Sequence, residues 1–370
     1  MVKPWKVGRL RWLAILLCLG ASTVALAAET AATYKHFAWR KVADGVWFGT
    51  ALPNAFQTGN TVIMALPSGG SLVVDSELSS SLGRQIIEEA KAVAPGPVRY
   101  LVNTHLHQDH VGGNAAFKEE FPNVQIIAHR NACLGITQKT IPRMEERIEP
   151  MTKQLAAMQA KRAGLADGDE QAAALDHRIA GTQLYLQDAK NFKWAMPTTC
   201  LDLKPGESSV ITDGARRIEI YYFGRAHSNG DLVVFLPKEK VLAIGDLWAE
   251  KTGQMLLDAG LDGRDGSVLD GPETLKRIRA LGFDISLPGH TGVMHGKAAL
   301  DAAIADGEKM ITQVHDRWAR GDDIEDVLRK MPPPPDASPF IADRWRRVVT
   351  SAFEEMDQRW QLGMRQPGQQ

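Results

Sequence analysis

The sequence predicts an α/β fold, and three observations carry that expectation. Short β-branched runs alternate with segments of helical periodicity. Gly, Pro and Asn punctuate the ends of those runs. Side chains of metal-ligand type stand just after several of the predicted strands, where loops on a rigid scaffold carry chemistry.

Taken in order, the runs Gly45–Gly49, Asn60–Met64 and Ser71–Asp75, within a strand-rich stretch from Trp39 to about Val102, predict strands. Leu82, Ile86, Ile87 and Ala90 recur at helical spacing, so Ser81–Val93 is a predicted helix that Pro95-Gly96-Pro97 ends. Val98–Asn103 is the next strand, and Val124–Ala128 another. From Thr140 to Lys190 the texture turns to Ala, Gln, Glu, Lys and Arg. Met144, Ile148, Met151, Leu155 and Met158 make a one-sided stripe there, Gly164–Gly168 breaks it, and a second helical stretch runs from about Glu170 to Asp188. The prediction is a helical hairpin inserted over residues 134–199, its methionines acting as packing filler. Strands resume near Leu201 and continue through Arg217–Tyr222, Leu232–Leu236, Val241–Ile244 and Asp284–Leu287. A helical extension over 298–370 follows, interrupted by Pro332–Pro335. Its last helix carries an apolar face of Phe340, Trp345, Val348, Val349, Ala352, Phe353, Met356 and Trp360.

At 44% hydrophobic and 24% charged, the 370 residues hold ample apolar material for a core. Lys3, Lys6, Arg9 and Arg11 precede the apolar run Trp12–Leu19, and Ala25-Leu26-Ala27 offers a small-residue cleavage site. That is the layout of a signal peptide over 1–27, which implies a periplasmic or secreted protein with no stable membrane anchor after cleavage. Removing those four cations takes the formal charge from -1 to -5, which argues against nucleic acid as a partner and leaves a small-molecule substrate. Oligomeric state has no signature. Export permits disulfides, and Cys133 and Cys200 flank the inserted hairpin. Pairing across its base and two separate buried thiols are equal readings of the spacing.

The chemistry concentrates in Thr104-His105-Leu106-His107-Gln108-Asp109-His110. Imidazoles and carboxylates are costly to bury without partners, and a metal pair is the simplest partner for so dense a cluster. His105 and His107 lie two apart, so an extended backbone projects both to one side. Three later sites repeat one grammar, a strand, a small residue and then a ligand-type side chain: Ala226-His227, Gly245-Asp246 and Gly289-His290. No Gly-x-Ser-x-Gly elbow is present to supply a serine nucleophile. His36, His129, His177, His295 and His315 have no ligand-type neighbours in sequence and read as ordinary surface or core residues.

These motifs resemble those of the metallo-β-lactamase superfamily. His105–His110 matches its His-x-His-x-Asp-His signature, Asp75 stands where the family has an Asp after an early strand, and Gly224–Asp231 is similar to its Gly-x-Ala-His-Thr-x-Gly-Asp segment with Ser228 for Thr. The resemblance covers roughly Trp39–Lys297 without the insertion. It implies a four-layer αββα sandwich as the catalytic domain over 28–297. It also implies a dinuclear centre: His105, His107 and His227 on one metal, Asp109, His110 and His290 on the other, and Asp246 bridging. Two zinc ions suit these nitrogen and oxygen ligands, and iron or manganese tolerates them too. Two divalent ions, two carboxylates and a bridging hydroxide leave about one net positive charge to stabilise an oxyanion. By the resemblance, Asp109 is the catalytic residue that orients a metal-activated water and shuttles its proton.

The expected function is therefore that of an exported dinuclear-zinc hydrolase, β-lactamase-like, cleaving a carbonyl ester or amide-type bond. Asp246 is similar to the bridging residue of glyoxalase II-like thioesterases and of lactonases, while Trp248 and Ala249 stand near where lactonases place a tyrosine. The long insertion and tail resemble exported zinc metallohydrolases associated with quinoprotein or sulfur-oxidation systems. A mono-iron redox enzyme and a non-catalytic exported metal-binding accessory protein are the competing readings. Arg225 and Lys251 are candidates to anchor a substrate carboxylate, with solvated surface charges as the blander alternative.

Overall fold

A computed structural model of the chain describes residues 34–56, 59–166, 168–249 and 266–363. The signal segment 1–27, Lys251 and the side chain of Phe340 lie outside them. Two sheets form the centre. The first runs, in both chain and spatial order, β1 (Phe37–Ala43), β2 (Val46–Ala51), β3 (Thr61–Ala65), β4 (Ser71–Val74), β5 (Val98–Val102), β6 (Gln125–His129) and β7 (Thr199–Leu201). Its first four strands are antiparallel, and β4 through β7 are parallel. The second sheet has the spatial order β13 (Met294–His295), β12 (Ile285–Pro288), β11 (Val241–Gly245), β10 (Leu232–Leu236), β9 (Arg216–Tyr222) and β8 (Glu207–Asp213).

Side-chain alternation builds the layers. Val46, Phe48, Val62, Met64, Leu72 and Val74 on the first sheet meet Ile218, Ile220, Leu232, Val234, Val241 and Ala243 on the second, every other residue of each strand. The opposite parity of the first sheet, Ile63, Val73 and Leu101, faces Ile86, Ile87 and Ala90 of α1 (Ser80–Val93). The opposite parity of the second, Val233, Phe235, Leu242 and Ile244, faces other helical residues, among them Leu275 and Ile278 in Gly271–Arg279 and Leu300 and Ala303 in Ala298–Trp318. The result is the expected helix–sheet–sheet–helix order. Strands buried on both faces need continuous apolar runs, which is why β10 and β11 are buried throughout.

The helical hairpin stands between β6 and β7 as Ile141–Ala163 and Glu170–Ala189. Of the methionine stripe, Met144 is buried and Met151 packs beside Leu184 and Tyr185, while Leu155 and Met158 are half-buried on the outer part of the hairpin. Ser81 donates backbone and side-chain hydrogen bonds to Asp188, pinning the hairpin to α1. Cys133 and Cys200 are bonded, with Cα atoms 6.2 Å apart, which settles the open choice in favour of the bridge. The link closes a loop across a sequence separation of 67. Replacing both cysteines by alanine is expected to lower unfolding free energy by about 4 kcal/mol in the chain-entropy picture, read by urea titration. Equal stability of the parent and the double variant would remove that role.

Three expectations need correction. The extension breaks at Gly321 as well as at the prolines, so a short helix, Ile324–Lys330, lies between the two long ones. Trp360 is 62% exposed rather than buried: it lies beyond the last core residue of its helix, Met356, and meets Trp318 edge-on at the surface. His36 is not an ordinary histidine, because its fully buried ring contacts Glu77 Oε1 at 3.1 Å and the Tyr34 hydroxyl at 3.0 Å.

Candidate metal centre

All the chemistry meets at one edge of the two sheets. β5 stops at Val102, and residues 103–107 leave it as a loop that turns into a single helical turn, Gln108–Val111. His105 and His107 thus project from a loop rather than from the strand itself, and they still reach a common point: His105 Nε2 lies 3.1 Å from His107 Nδ1. His227 arrives from the β9–β10 connection with its Nε2 3.0 Å from the same His107 nitrogen. Asp246 follows β11, and His290 follows β12.

Two glycines make the approach possible. Gly245 has φ +52°, and a Cβ there would stand 2.6 Å from Thr104 Oγ1. At Gly289 a Cβ would stand 2.1 Å from Asp246 Oδ1, so only glycine lets that carboxylate sit where it does.

The donor atoms fall into two sets, His105, His107, His227 and Asp246 in one and Asp109, His110 and His290 in the other, each with atoms within 4.8 Å of one another. Asp246 faces both: Oδ2 lies 3.8 Å from His105, 3.5 Å from His227 and 3.0 Å from His290, while Oδ1 lies 3.4 Å from His110. Asp109 Oδ2 stands 3.4 Å from His290 Nε2 and 3.9 Å from His110 Nε2. The structure therefore brings together every one of the seven residues the sequence singled out.

Behind the donors lies a hydrogen-bond relay. Asp75, in left-handed backbone with φ 64° at the end of β4, accepts from Thr104 N at 2.7 Å and Thr104 Oγ1 at 2.8 Å. Its Oδ2 also takes His110 Nδ1 at 2.8 Å. Thr104 gives its one hydroxyl proton to Asp75, so its oxygen accepts from His105 Nδ1 at 3.0 Å. His105 then carries its proton on Nδ1 and turns a bare Nε2 inward, and His110, its Nδ1 held by Asp75, turns its Nε2 to the same side, the orientation metal-binding histidines need.

The electrostatics agree. Burial pushes His105 well below the usual imidazole range and His227 down to about 3, so both stay neutral. Burial opposes the charge of Asp246 as well, but His290 and His110 outweigh it and hold the carboxyl well below its ordinary value. His110 Nε2 and Asp246 Oδ1 are both buried and face each other at 3.4 Å. His105 and His227 stay neutral, while Asp246, against burial, holds His110 and His290 above the usual imidazole range, so an excess of negative charge at the donors calls for cations, and a divalent pair can take the place of those protons.

Asp75 was legible only as a family position; its relay through Thr104 is new. Removing its charge as Asp75→Asn should weaken metal binding 10- to 100-fold, the usual cost of losing such a supporting carboxylate. Chelator competition would show it, and an unchanged affinity would assign Asp75 to folding alone. Arg225 does not reach the donors: it pairs with Asp270 at 2.8 Å and Glu355 at 3.2 Å. Trp248 is buried in the core against Phe283.

A family model described as the metallo-β-lactamase superfamily matches residues 55–290, nearly two thirds of the chain. The chain belongs to the metallo-β-lactamase superfamily. Its two groups of candidate metal-binding residues lie within or at the end of the matched segment. A linear primary-alkylsulfatase from a Pseudomonas species is 22% identical over 300 residues, covering 76% of this chain. This chain spans only about half of that relative, 52% of its length. A type 2 metallo-β-lactamase from a Bacillus species is 25% identical over 257 residues, 68% of this chain and 72% of the relative. Among solved structures, a metallo-β-lactamase from Pontibacter korlensis aligns with TM-score 0.51 at 14% identity, covering 74% of this chain and 99% of that one. The FIM-1 metallo-β-lactamase from Pseudomonas aeruginosa, in its mono-zinc form, aligns with TM-score 0.51 at 16% identity, covering 75% and 96%. These structural likenesses speak to the fold.

Proposed function

We propose that this superfamily member is an exported dinuclear-zinc hydrolase that cleaves a carbonyl ester or amide-type bond, as β-lactamases do. One observation carries the reading: Asp246 faces both donor sets at once, so the chain offers two adjacent metal positions with a shared carboxylate. His105, His107 and His227 would hold one ion and Asp109, His110 and His290 the other. A bound zinc pair supplies activated water near neutral pH and polarises the scissile bond. The chain's residues do the rest. Asp109 stands at the more open side with His290, where its anionic oxygen takes and returns a proton. The carboxylate at position 246, in place of a thiolate, makes an all nitrogen and oxygen set that also accepts iron or manganese.

Export is supported by the basic and apolar N-terminal layout and by the Cys133–Cys200 bridge, which persists in oxidising compartments. Among the described residues no helix is long and apolar enough to cross a membrane. N-terminal sequencing of the exported protein should begin at Ala28.

A second reading, sulfate-ester hydrolysis, is favoured by the match to an alkylsulfatase over 300 residues. The deciding experiment loads the mature protein with zinc and offers nitrocefin, a thioester, a lactone, a phosphodiester and an alkyl sulfate. Two zinc ions per chain and turnover of a carbonyl substrate are expected. A single iron, or no turnover of any member with both metals bound, overturns the proposal.

A further inference from the structure

A second buried relay lies behind the other half of the site. Residues 34–36 run beside α1, where His36 N donates to Gln85 Oε1 at 3.0 Å and Gln85 Nε2 to Tyr34 O at 2.9 Å. That fixes the His36 ring, which has no solvent access, between the Tyr34 hydroxyl and Glu77. A carboxylate only accepts, so His36 donates from Nε2 to Glu77 Oε1, and Leu78 N donates to Glu77 Oε2 at 2.6 Å. A buried pair of this kind contributes little net stability once desolvation is counted, so a role in fixing one backbone arrangement is the reading to test.

The backbone around Glu77 touches both segments of the second donor set. Asp75 and Glu77 stand in left-handed backbone, φ 64° and 68°, which residues with a Cβ hold only where their surroundings over-determine it. From that turn Ser76 N donates to His110 O at 2.9 Å, and Glu77 O accepts from Gly113 N at 2.9 Å. These bonds bracket the helical turn that carries Asp109 and His110. The Glu77 carboxyl abuts Gly59, where a Cβ would stand 2.1 Å from its Oε1 and 3.2 Å from Asp109 O. Asn60, the next residue, holds the loop of His290. Its N donates to Gly289 O at 2.7 Å, and its Nδ2 to Pro288 O at 2.9 Å and Thr291 O at 2.8 Å. The first donor set is held elsewhere. His105 is fixed through Thr104, and the residue after His227 through Asp231, which accepts from Ser228 Oγ at 2.6 Å.

We infer that His36 and Glu77 are positioning residues for the second metal position, their imidazole–carboxylate pair setting the separation of the Asp109–His110 turn from the His290 loop. The inference deepens the dinuclear reading and rests on it for the identity of the ligand. Both residues act through the backbone: by way of Gly59 and Asn60 on His290, and by way of Ser76 and Gly113 on Asp109 and His110. That chain of contacts is one-sided. Loss of the pair loosens the Asp109, His110 and His290 set and leaves the His105, His107 and His227 set intact.

The test is zinc titration of the metal-stripped mature chain against a chromophoric chelator, which resolves two binding steps, with amide hydrogen exchange of the metal-free protein alongside. Glu77→Gln keeps the volume, but its amide has one accepting oxygen for two N–H donors, His36 and Leu78. Glu77→Gly takes left-handed backbone freely and removes the carboxylate, and it is read in the same way if the glutamine variant does not fold. One zinc step should weaken by at least about tenfold while the other stays within about twofold of the parent. Amides at 290–291 should exchange faster in the variant, and those at 227–228 at the parent's rate. Equal weakening of both steps, no change in either, or an unchanged exchange rate at 290–291 overturns the inference, as does loss of folding in both variants. A parent that binds fewer than two zinc ions sinks the dinuclear reading, and the exchange contrast then decides the positioning role by itself.

Discussion

Asp109→Asn should lower kcat/KM by about three orders of magnitude with little change in fold, within the range of losing a positioned proton-transfer group. The substitution is isosteric, and the side-chain oxygen that faces His290 at 3.4 Å remains available as a neutral donor atom. What goes is the negative charge and the ability to carry a proton. Burial disfavours that charge, but His110 and His290 outweigh it and hold the carboxyl down to about 2, so the group is a carboxylate throughout the neutral range. The loss should therefore be as large at pH 6 as at pH 8, because titration of Asp109 does not set the profile there. Steady-state kinetics at both pH values, with metal content measured on the same samples, separates this from simple metal loss. A variant that keeps two metals and full rate would show that proton transfer does not pass through this residue.

The seven donors were legible in the sequence because each violates the ordinary economics of burial where it stands. Histidine and aspartate placed directly after apolar strands are expensive unless something pairs with them, so local context alone flagged them. The sandwich was legible for a related reason: a strand buried on both faces has to be apolar at every position, as β10 and β11 are. Features that depend on register between distant segments were not legible. Asp75 reaches His110 across 35 positions, and the contact exists only because β4 and β5 are parallel neighbours with their C-terminal ends at the same edge. Arg225 looked like a free cation near the site, yet Asp270 and the C-terminal Glu355 hold it, and neither is near in sequence. β8 escaped notice because Glu207–Asp213 is mostly polar and solvent-facing, and such a strand has no hydrophobic signature. His36 was missed because its partner Glu77 lies 41 positions away.

Asp246→Ala is expected to have the broadest effect of any single substitution, because it acts on both donor sets together. The carboxylate spans them, with one oxygen 3.0 Å from His290 and the other 3.4 Å from His110. Its removal takes a ligand from each proposed metal position and one of the two negative charges that offset the cations. Bound metal should fall from two ions per chain to one or none, measured by elemental analysis after gel filtration. Turnover should fall by at least about a thousandfold, since metal-assisted hydrolysis loses its activating centre. Stability should follow the metal. A ligand present at a thousand times its dissociation constant adds about 4 kcal/mol to the folded state, so chelation of the parent should lower its melting temperature, and chelation of Asp246→Ala should change little. The metal-free parent and Asp246→Ala should not melt alike, however. Without the anion, His110 and His290 lose their principal counter-charge, and those rings, which burial disfavours as cations and Asp246 holds above the usual imidazole range, should titrate at lower pH in the variant. Nuclear magnetic resonance titration of the two imidazoles would show that displacement. If Asp246→Ala retains two ions and the two rings titrate as in the parent, the carboxylate is not the common member of the two sets, and the centre must be reassigned to separate sites.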